Sequence, residues 1–592
     1  MLARQPRHHA RLLIHTTLAL LMLLAQVSLA ATPTTATSEL GNVGSSQVAA
    51  NAAIDLEIDA AAETKAISPD IYGMNYPNEA LAAELRLPVQ RWGGNGTTRY
   101  NYLIDISNRG SDWFFQNVPE SQGAAPPNLP HGSAADRFIE HGDRTGTATL
   151  MTIPMLGWVA RSDSPRNHPL FCGFSTQKYG PQTATEYYSS HCGTGYRTGG
   201  APITNNSPED TSQPADPAFM RGWLQHMVSS FGTANAGGVR YYNLDNEPSL
   251  WTETHRDLRK EPLGYAELRD RTYAYAAMIK AVDPGAKTLG PAEWGWNGYF
   301  YSARDSYSGS TNPDRAAYGN KPLVQWYLEQ MRAYEQQNGT RILDYLDLHY
   351  YPQASNVALQ PVGDAATQAL RLRSTRSLWD PTYTDESWIS TQPDGPAVRL
   401  IPRMHNWVNS YYPGTKLAIT EYNWGGLEHI NGALAQADVL GIFGREGVGL
   451  ATIWGPPQPD QPGAFAFRMY LNYDGKGARF GGTSVRATSS NQEQLSTYAA
   501  RRSDGALTVM VINKTNEAQQ GALTLKNFVP DTAAAVYRYS AANLSAITRT
   551  DDLVSSGSLS AGFPAASVTL IVFEPVDGLN TIKVNLPLIH RP

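Results

Sequence analysis

Cysteine, positive charge and long apolar runs are all scarce in this chain, and each scarcity removes a class of function. Only two cysteines, Cys172 and Cys192, occur in 592 residues. Two thiols alone are too few for a thiolate metal centre. They lie close together in a Gly/Ser/Tyr-rich stretch, where an oxidising compartment lets them close a loop as a disulfide. Lys and Arg number 47 against 53 Asp and Glu, a formal charge of −6. Nucleic acid and anionic membranes favour basic clusters, so neither is an expected partner. The glycine fingerprint of a dinucleotide site is absent, which weighs against an open doubly wound sheet. Past Ala30 no long apolar run occurs, so no membrane-spanning segment is expected in the mature chain.

What is present begins with an export signal. Arg4, Arg7 and Arg11 precede the apolar Leu18–Leu24, and Ser28-Leu29-Ala30 offers small residues for cleavage. Residues 1–30 therefore read as a signal peptide and the protein as secreted. Residues 31–51 are Ala/Thr/Ser/Gly-rich, a linker with little to bury. The remainder is long enough for two folded domains, and its 41% apolar and 17% charged content suits a globular core. Thirteen Trp and 31 Tyr supply flat amphipathic rings that suit sugar faces, and equally suit a core.

The chain is organised around Tyr241-Tyr242-Asn243-Leu244-Asp245-Asn246-Glu247-Pro248. An apolar strand there stops abruptly on carboxylates, an amide and a proline. Lys416-Leu417-Ala418-Ile419-Thr420-Glu421-Tyr422-Asn423-Trp424 repeats the design. Eight such strands can be placed: Ile71–Asn75, Val89–Gly93, Ala148–Leu156, Val239–Leu244, Thr288–Pro291, Tyr345–His349, Leu417–Thr420 and Leu450–Trp454. Helical patterns fall between several of them, at Tyr265–Val282, Lys321–Tyr334, Leu400–Tyr411 and Gly432–Glu446. Eight alternations predict a (β/α)8 TIM barrel over residues 69–484, with the long Ala160–Pro217 loop beside its cleft. From residue 485 to 575 short strands with polar turns predict a C-terminal β-sandwich. Residues 52–68 are expected to contribute one further strand to it, Ile54–Asp59, whose apolar and acidic residues alternate. Residues 576–592 form a tail too short to be a domain.

Two glutamates at different barrel mouths are the minimum machinery for cleaving a glycosidic bond. One carboxyl protonates the leaving oxygen and the other attacks the anomeric carbon or activates water. Asn246, beside Glu247, is placed to hydrogen-bond a sugar 2-hydroxyl. Asn-Glu-Pro at a fourth strand resembles the acid/base motif of the retaining barrel glycosidases, and Glu421 on the seventh matches their nucleophile. Arg91 ends the second strand, where a guanidinium would keep Glu421 ionised. His349 and Tyr351 end the sixth and would orient the nucleophile. Trp454 ends the eighth and would floor the reacting sugar's subsite. Glu293 is expected to bind sugar hydroxyls, and Trp92, Trp158, Trp294 and Trp424 to stack on sugars. Asp245 competes as the acid, but strand alternation points it away. Asp380, Asp385 and Glu386 sit in an aromatic loop and read as structural.

Four blocks in order resemble glycoside hydrolase family 44: Arg91-Trp92-Gly93-Gly94-Asn95, Asn243 to Pro248, Trp379-Asp380-Pro381-Thr382-Tyr383, and Thr420-Glu421-Tyr422-Asn423-Trp424-Gly425. The resemblance spans about residues 52–575. It implies endo-acting, retaining hydrolysis of β-1,4-glucans, often including xyloglucan, by a barrel with a sandwich built from both chain ends. It implies Glu247 as acid/base and Glu421 as nucleophile, with Asn95 and Tyr422 among the substrate contacts. The chemistry needs no cofactor. A structural calcium occurs in the family, and no ligand cluster in the sequence places one. A monomer acting on a polysaccharide is expected. Retention requires the two carboxyls about 5–5.5 Å apart, with the Glu247 pKa raised by the charge of Glu421. The alternatives are a xylanase or mannanase with the same two glutamates, and a non-catalytic glycan-binding barrel.

Overall fold

The computed structural model describes residues 53–121, 123–554 and 559–576. The expected signal peptide, the linker and the tail beyond Val576 lie outside these residues. Among the described residues no helix is long and apolar enough to cross a membrane.

Eight parallel strands close into a barrel: β1 (Gly73–Asn75), β2 (Val89–Trp92), β3 (Ala148–Ile153), β4 (Tyr241–Leu244), β5 (Lys287–Glu293), β6 (Tyr345–Tyr350), β7 (Lys416–Tyr422) and β8 (Leu450–Ile453). Every expected strand is present, with local differences at the ends. Pro69 cannot donate to a ladder, so Pro69–Tyr72 forms a 3-10 turn and β1 starts after it. Pro154 stops β3 at Ile153 for the same reason, short of Leu156. The helices Tyr265–Val282, Leu323–Asn338, Leu400–Tyr411 and Ile430–Glu446 follow the expected pattern.

Period two along the strands sorts the barrel interior into layers. Val89, Leu150, Tyr241, Leu289, Tyr345, Ala418 and Leu450 form one apolar cluster, one residue from each of β2 to β8. Two residues further along, the same face carries Arg91, Asn243, Asp347 and Thr420, all fully buried. A polar layer thus sits on an apolar floor, below the barrel mouth. Two bulges then shift the alternation. On β7 the register jumps from Leu348–Ile419 to His349–Glu421, leaving Thr420 as the extra residue. On β5 it jumps from Pro291–Asp347 to Glu293–Leu348, with Ala292 extra at φ 56°. Such insertions re-aim every side chain beyond them.

The second architecture is a β-sandwich built mainly from residues after Thr483, with helices of the barrel against one side. Ile54–Asp59 lies within it, antiparallel to Thr483–Ser489 and parallel to Gln519–Lys526. Strand Leu507–Asn513 shows how the parts join. Leu507, Val509 and Val511 face the sandwich core with Leu56, Ile58 and Phe573. Met510 and Ile512 face the barrel's own apolar cluster. Alternation has no solvent side here, so the strand is buried throughout. Strand Asn543–Val554 is mostly exposed and carries no apolar alternation, which hid it from sequence reading.

Candidate active site

Glu247 owes its position to a break in backbone conformation. β4 ends at Leu244, and Asp245 and Glu247 both take positive φ, 68° and 46°. Non-glycine residues pay for that geometry, and it recurs at functional sites. The Glu247 amide donates to the Ala292 carbonyl at 3.0 Å, and Pro248 starts a 3-10 turn. Asp245 is consumed beneath the mouth. It accepts from Thr98 Oγ1 (2.6 Å), the Asn246 amide (2.8 Å) and the Met155 amide. As alternation required, it does not face the cleft.

Glu421 is held at both oxygens. Arg91 Nη1 donates to Oε1 at 2.8 Å and Tyr351 donates its hydroxyl to Oε2 at 2.9 Å. Arg91 also donates through Nε to Asn243 Oδ1 (2.8 Å) and through Nη2 to Asn246 Oδ1 (2.8 Å). That fixes the Asn246 amide: its oxygen faces Arg91 and its nitrogen donates to Asn95 Oδ1 at 3.0 Å. His349 Nδ1 lies between the glutamates, 2.9 Å from Glu247 Oε1 and 3.6 Å from Glu421 Oε2. Oxygens of Glu247 and Glu421 lie within 4.8 Å of each other. Trp454 is half-buried at the mouth, its ring packed over Gly94. Gly94 has φ 86°, and a Cβ there would sit 2.4 Å from the Trp454 ring. Glycine is needed on both counts.

Burial raises the Glu247 pKa to about 7, with the charge of Arg91 pulling the other way. Desolvation is therefore the cause, in place of the expected charge of Glu421. Burial pushes the His349 pKa down, keeping the ring neutral.

The sequence profile of Glycoside hydrolase family 44 matches residues 106–354. The chain is 32% identical over 484 residues to Endoglucanase A of Paenibacillus lautus, a match that covers 79% of this chain and 64% of that protein's length. A Paenibacillus polymyxa xyloglucanase from glycoside hydrolase family 44 shares its structure with a TM-score of 0.72 at 30% identity, over 88% of this chain and 99% of that one. The chain belongs to glycoside hydrolase family 44. CelM2, a bifunctional glucanase-xylanase from a metagenome library, is similar at 43% identity and TM-score 0.84, over 88% of this chain and 99% of CelM2.

Four expected sugar contacts of this family 44 chain lie elsewhere. Tyr422 is off the cleft because the β7 bulge turns Glu421 inward and Tyr422 outward. Its hydroxyl accepts from Gln436 and its ring packs on Phe443, both on helix Ile430–Glu446. Trp424 is buried, its indole donating to Ser374 Oγ at 3.1 Å beside Tyr350. Trp92 follows Arg91 on the strand and so takes the outer face, packed among Tyr76, Tyr100 and Phe138. Glu293, beyond the β5 bulge, is fully buried against Ser249 Oγ (2.8 Å), and burial raises its pKa to about 8. Gly298 presses on its other oxygen, where a Cβ would come within 2.5 Å. Trp158 and Trp294 keep partial exposure.

Residues assigned no role of their own from the sequence include Asn243, Asp347 and Thr420, the polar layer. Counting two residues on from the apolar layer would have found them. Asp112, on the 3-10 turn Gly110–Trp113, accepts from Asn95 at 3.1 Å. Asp112 is exposed at the rim of the cleft; partial desolvation pushes its pKa up, the Asn95 hydrogen bond opposes this, and the charges of Glu247 and Glu421 add to it.

Cys172 and Cys192 form a disulfide in the long loop after β3. Among the described residues, two side-chain clusters have metal-ligand spacing, His131–Asp136–His226 and Glu247–His349–Glu421; a third, Cys172–His191–Cys192, has both sulfurs committed to the disulfide. Each contains a histidine, and none offers the oxygen-only shell that calcium takes, so no calcium site is assigned.

Proposed function

We propose that this chain is an exported, retaining endo-β-1,4-glucanase acting on cellulose-type glucans and xyloglucan. The observation that carries the reading is the approach of the Glu247 and Glu421 oxygens to within 4.8 Å, which leaves no room for the water that inverting enzymes hold between carboxyls about 6.5–9.5 Å apart. In the first step Glu421 attacks C1 while protonated Glu247 donates to the leaving oxygen. In the second, Glu247 takes a proton from water, which releases the sugar from Glu421. A pKa of about 7 lets Glu247 serve both steps near neutrality. Asn246 has one amide hydrogen left after Asn95, available to the sugar 2-hydroxyl. The xyloglucanase likeness supports the substrate class. Export is supported by the N-terminal sequence pattern and the disulfide. The site is complete within one chain, which suits a monomer.

CelM2 favours a second substrate, xylan, for the same apparatus. Reducing-sugar release from carboxymethylcellulose, xyloglucan, xylan and mannan separates the readings. Release from the glucans, lost in Glu421→Gln while glucan binding persists, is the expected result. Release from xylan alone would replace the substrate assignment. No release from any of the four would leave a glycan-binding barrel.

A further inference from the structure

The catalytic glutamates touch the same histidine, and beneath it runs a chain of buried side chains that the mechanism above leaves unused. His349 Nε2 lies 3.2 Å from Thr420 Oγ1, and Thr420 Oγ1 lies 2.8 Å from Asp347 Oδ2. All three residues are fully buried. Asp347 is surrounded by donors. The Thr420 amide donates to its Oδ1 at 3.2 Å, and Asn243 Nδ2 donates to its Oδ2. The orientation of Asn243 is set, because its oxygen accepts from Arg91 Nε at 2.8 Å. Burial raises the Asp347 pKa, and His349, the charge of Arg91 and the donors Thr420 and Asn243 oppose the rise; with donors at both oxygens and no acceptor beside it but Thr420, it acts as a carboxylate, which has no proton to give. The one hydroxyl proton of Thr420 therefore goes to Asp347, the shorter and charge-assisted contact. Thr420 Oγ1 is left with lone pairs toward His349, so Nε2 must carry the ring proton. In a neutral ring Nδ1 is then bare, and it faces Glu247 Oε1 at 2.9 Å.

We infer that Asp347 and Thr420 are positioning residues that lock His349 in its Nε2–H tautomer, so that its Nδ1 lone pair accepts a hydrogen bond from the carboxyl O–H of Glu247. The arrangement rests on the glucanase reading for its purpose and on the buried chain for its geometry. With the proton on Glu247 Oε1, the contact is a hydrogen bond that keeps the proton in the free enzyme, and the O–H turns from Nδ1 to the leaving oxygen when the glycan binds. Once the proton has passed to the leaving group, a lone pair faces a carboxylate. That repulsion draws a proton from the incoming water back to Glu247. The opposite tautomer would do the reverse, since Nδ1–H would donate to the Glu247 carboxylate and make it a poor acid. Other groups bear on Glu247 as well. Arg91 lowers its pKa, while Asp112, Glu293, Tyr299 and Tyr351 are each coupled to its charge. Glu421 shares its histidine. The Thr420 hydroxyl hydrogen-bonds to none of these; its reach to them runs through Asp347, whose charge acts on His349 and Tyr299.

The test pairs Thr420→Val with Thr420→Ser. Valine keeps the branch and removes the hydroxyl; the ring proton then loses its acceptor at Nε2 and moves to Nδ1. The basic limb of kcat/KM against pH is expected to move down by about one unit in Thr420→Val, the effect of one hydrogen bond to a charged group. Thr420→Ser is expected to keep the parent profile. Nitrogen-15 spectra of the histidine-labelled parent, assigned by loss of a signal in His349→Gln, are expected to show His349 with bare Nδ1 and protonated Nε2. An Nδ1–H signature in the parent protein would overturn the inference, whether or not any variant folds. An unmoved basic limb in a folded, active Thr420→Val would overturn it too. If no glycan is cleaved at all, the spectrum still decides the tautomer, so the two readings fail separately.

Discussion

Glu247 at the barrel mouth and Asp438 at the seam with the sandwich are both carboxyls withdrawn from water, and their surroundings push them in opposite directions. Asp438 lies on helix Ile430–Glu446 and accepts from Lys514 Nζ (2.7 Å), Thr375 Oγ1 (2.7 Å) and the Tyr498 hydroxyl (2.8 Å). Burial alone would raise its pKa, but the charge and hydrogen bond of Lys514, with the hydroxyl donors, bring it below the usual value. Glu247 has the neutral ring of His349 and no lysine against it, and burial carries its pKa to about 7. The seam spends its polar groups on full mutual satisfaction. The mouth leaves one carboxyl short of partners, and burial there favours its protonated form, as the proposed acid requires.

The contrast can be broken most severely by Glu247→Gln. Removal of the proposed acid/base should lower kcat on an unactivated glucan by about 10²–10⁴-fold, while Lys514→Met should leave kcat per folded molecule unchanged. A comparable loss in both would mean that the seam is part of the catalytic machinery.

Next in size is stability. Lys514→Met strands Asp438 in the interior and should cost about 3–5 kcal/mol, read by denaturant unfolding at neutral pH. Asp438 has a lowered folded pKa, so its contribution is present above the unfolded value of 3.8 and fades as pH falls through the folded one. The gap between parent and variant should therefore narrow in acid. Replacing both partners, Lys514→Met with Asp438→Leu, should recover part of the loss.

The smaller effect has the opposite sign. The folded pKa of Glu247, about 7, lies above its unfolded value of 4.5. Stability is complete below the lower value and falls as pH rises through the higher. Glu247→Gln should therefore stabilise the fold by nothing at pH 4 and by about 3 kcal/mol above pH 7. A gain independent of pH would mean that packing, and not the ionised carboxyl, was the cost.

The barrel was legible because buried strands that end on polar residues are rare outside it, and eight of them in series leave few architectures. The two glutamates, Arg91, His349 and Tyr351 were legible as strand ends. The errors cluster where a bulge intervenes. Alternation from Ala418 would put Thr420 and Tyr422 inward, but the extra residue at Thr420 gives Glu421 the cleft and Tyr422 the helix. The same event on β5 buried Glu293. A single inserted residue leaves no mark in a pattern of residue types, because Thr and Ala are acceptable on either face. Asp112 was hidden for another reason. It stands on a short loop turn, and its meaning comes from Asn95 and two glutamates remote in sequence.

The central claim is that Glu421 and Glu247 act as nucleophile and acid/base across one linkage. Proton NMR of the first product from a soluble β-glucan tests it directly. The account predicts that the β-anomer appears first and mutarotates later. The α-anomer first would mean inversion, and with it that no covalent sugar–Glu421 intermediate forms.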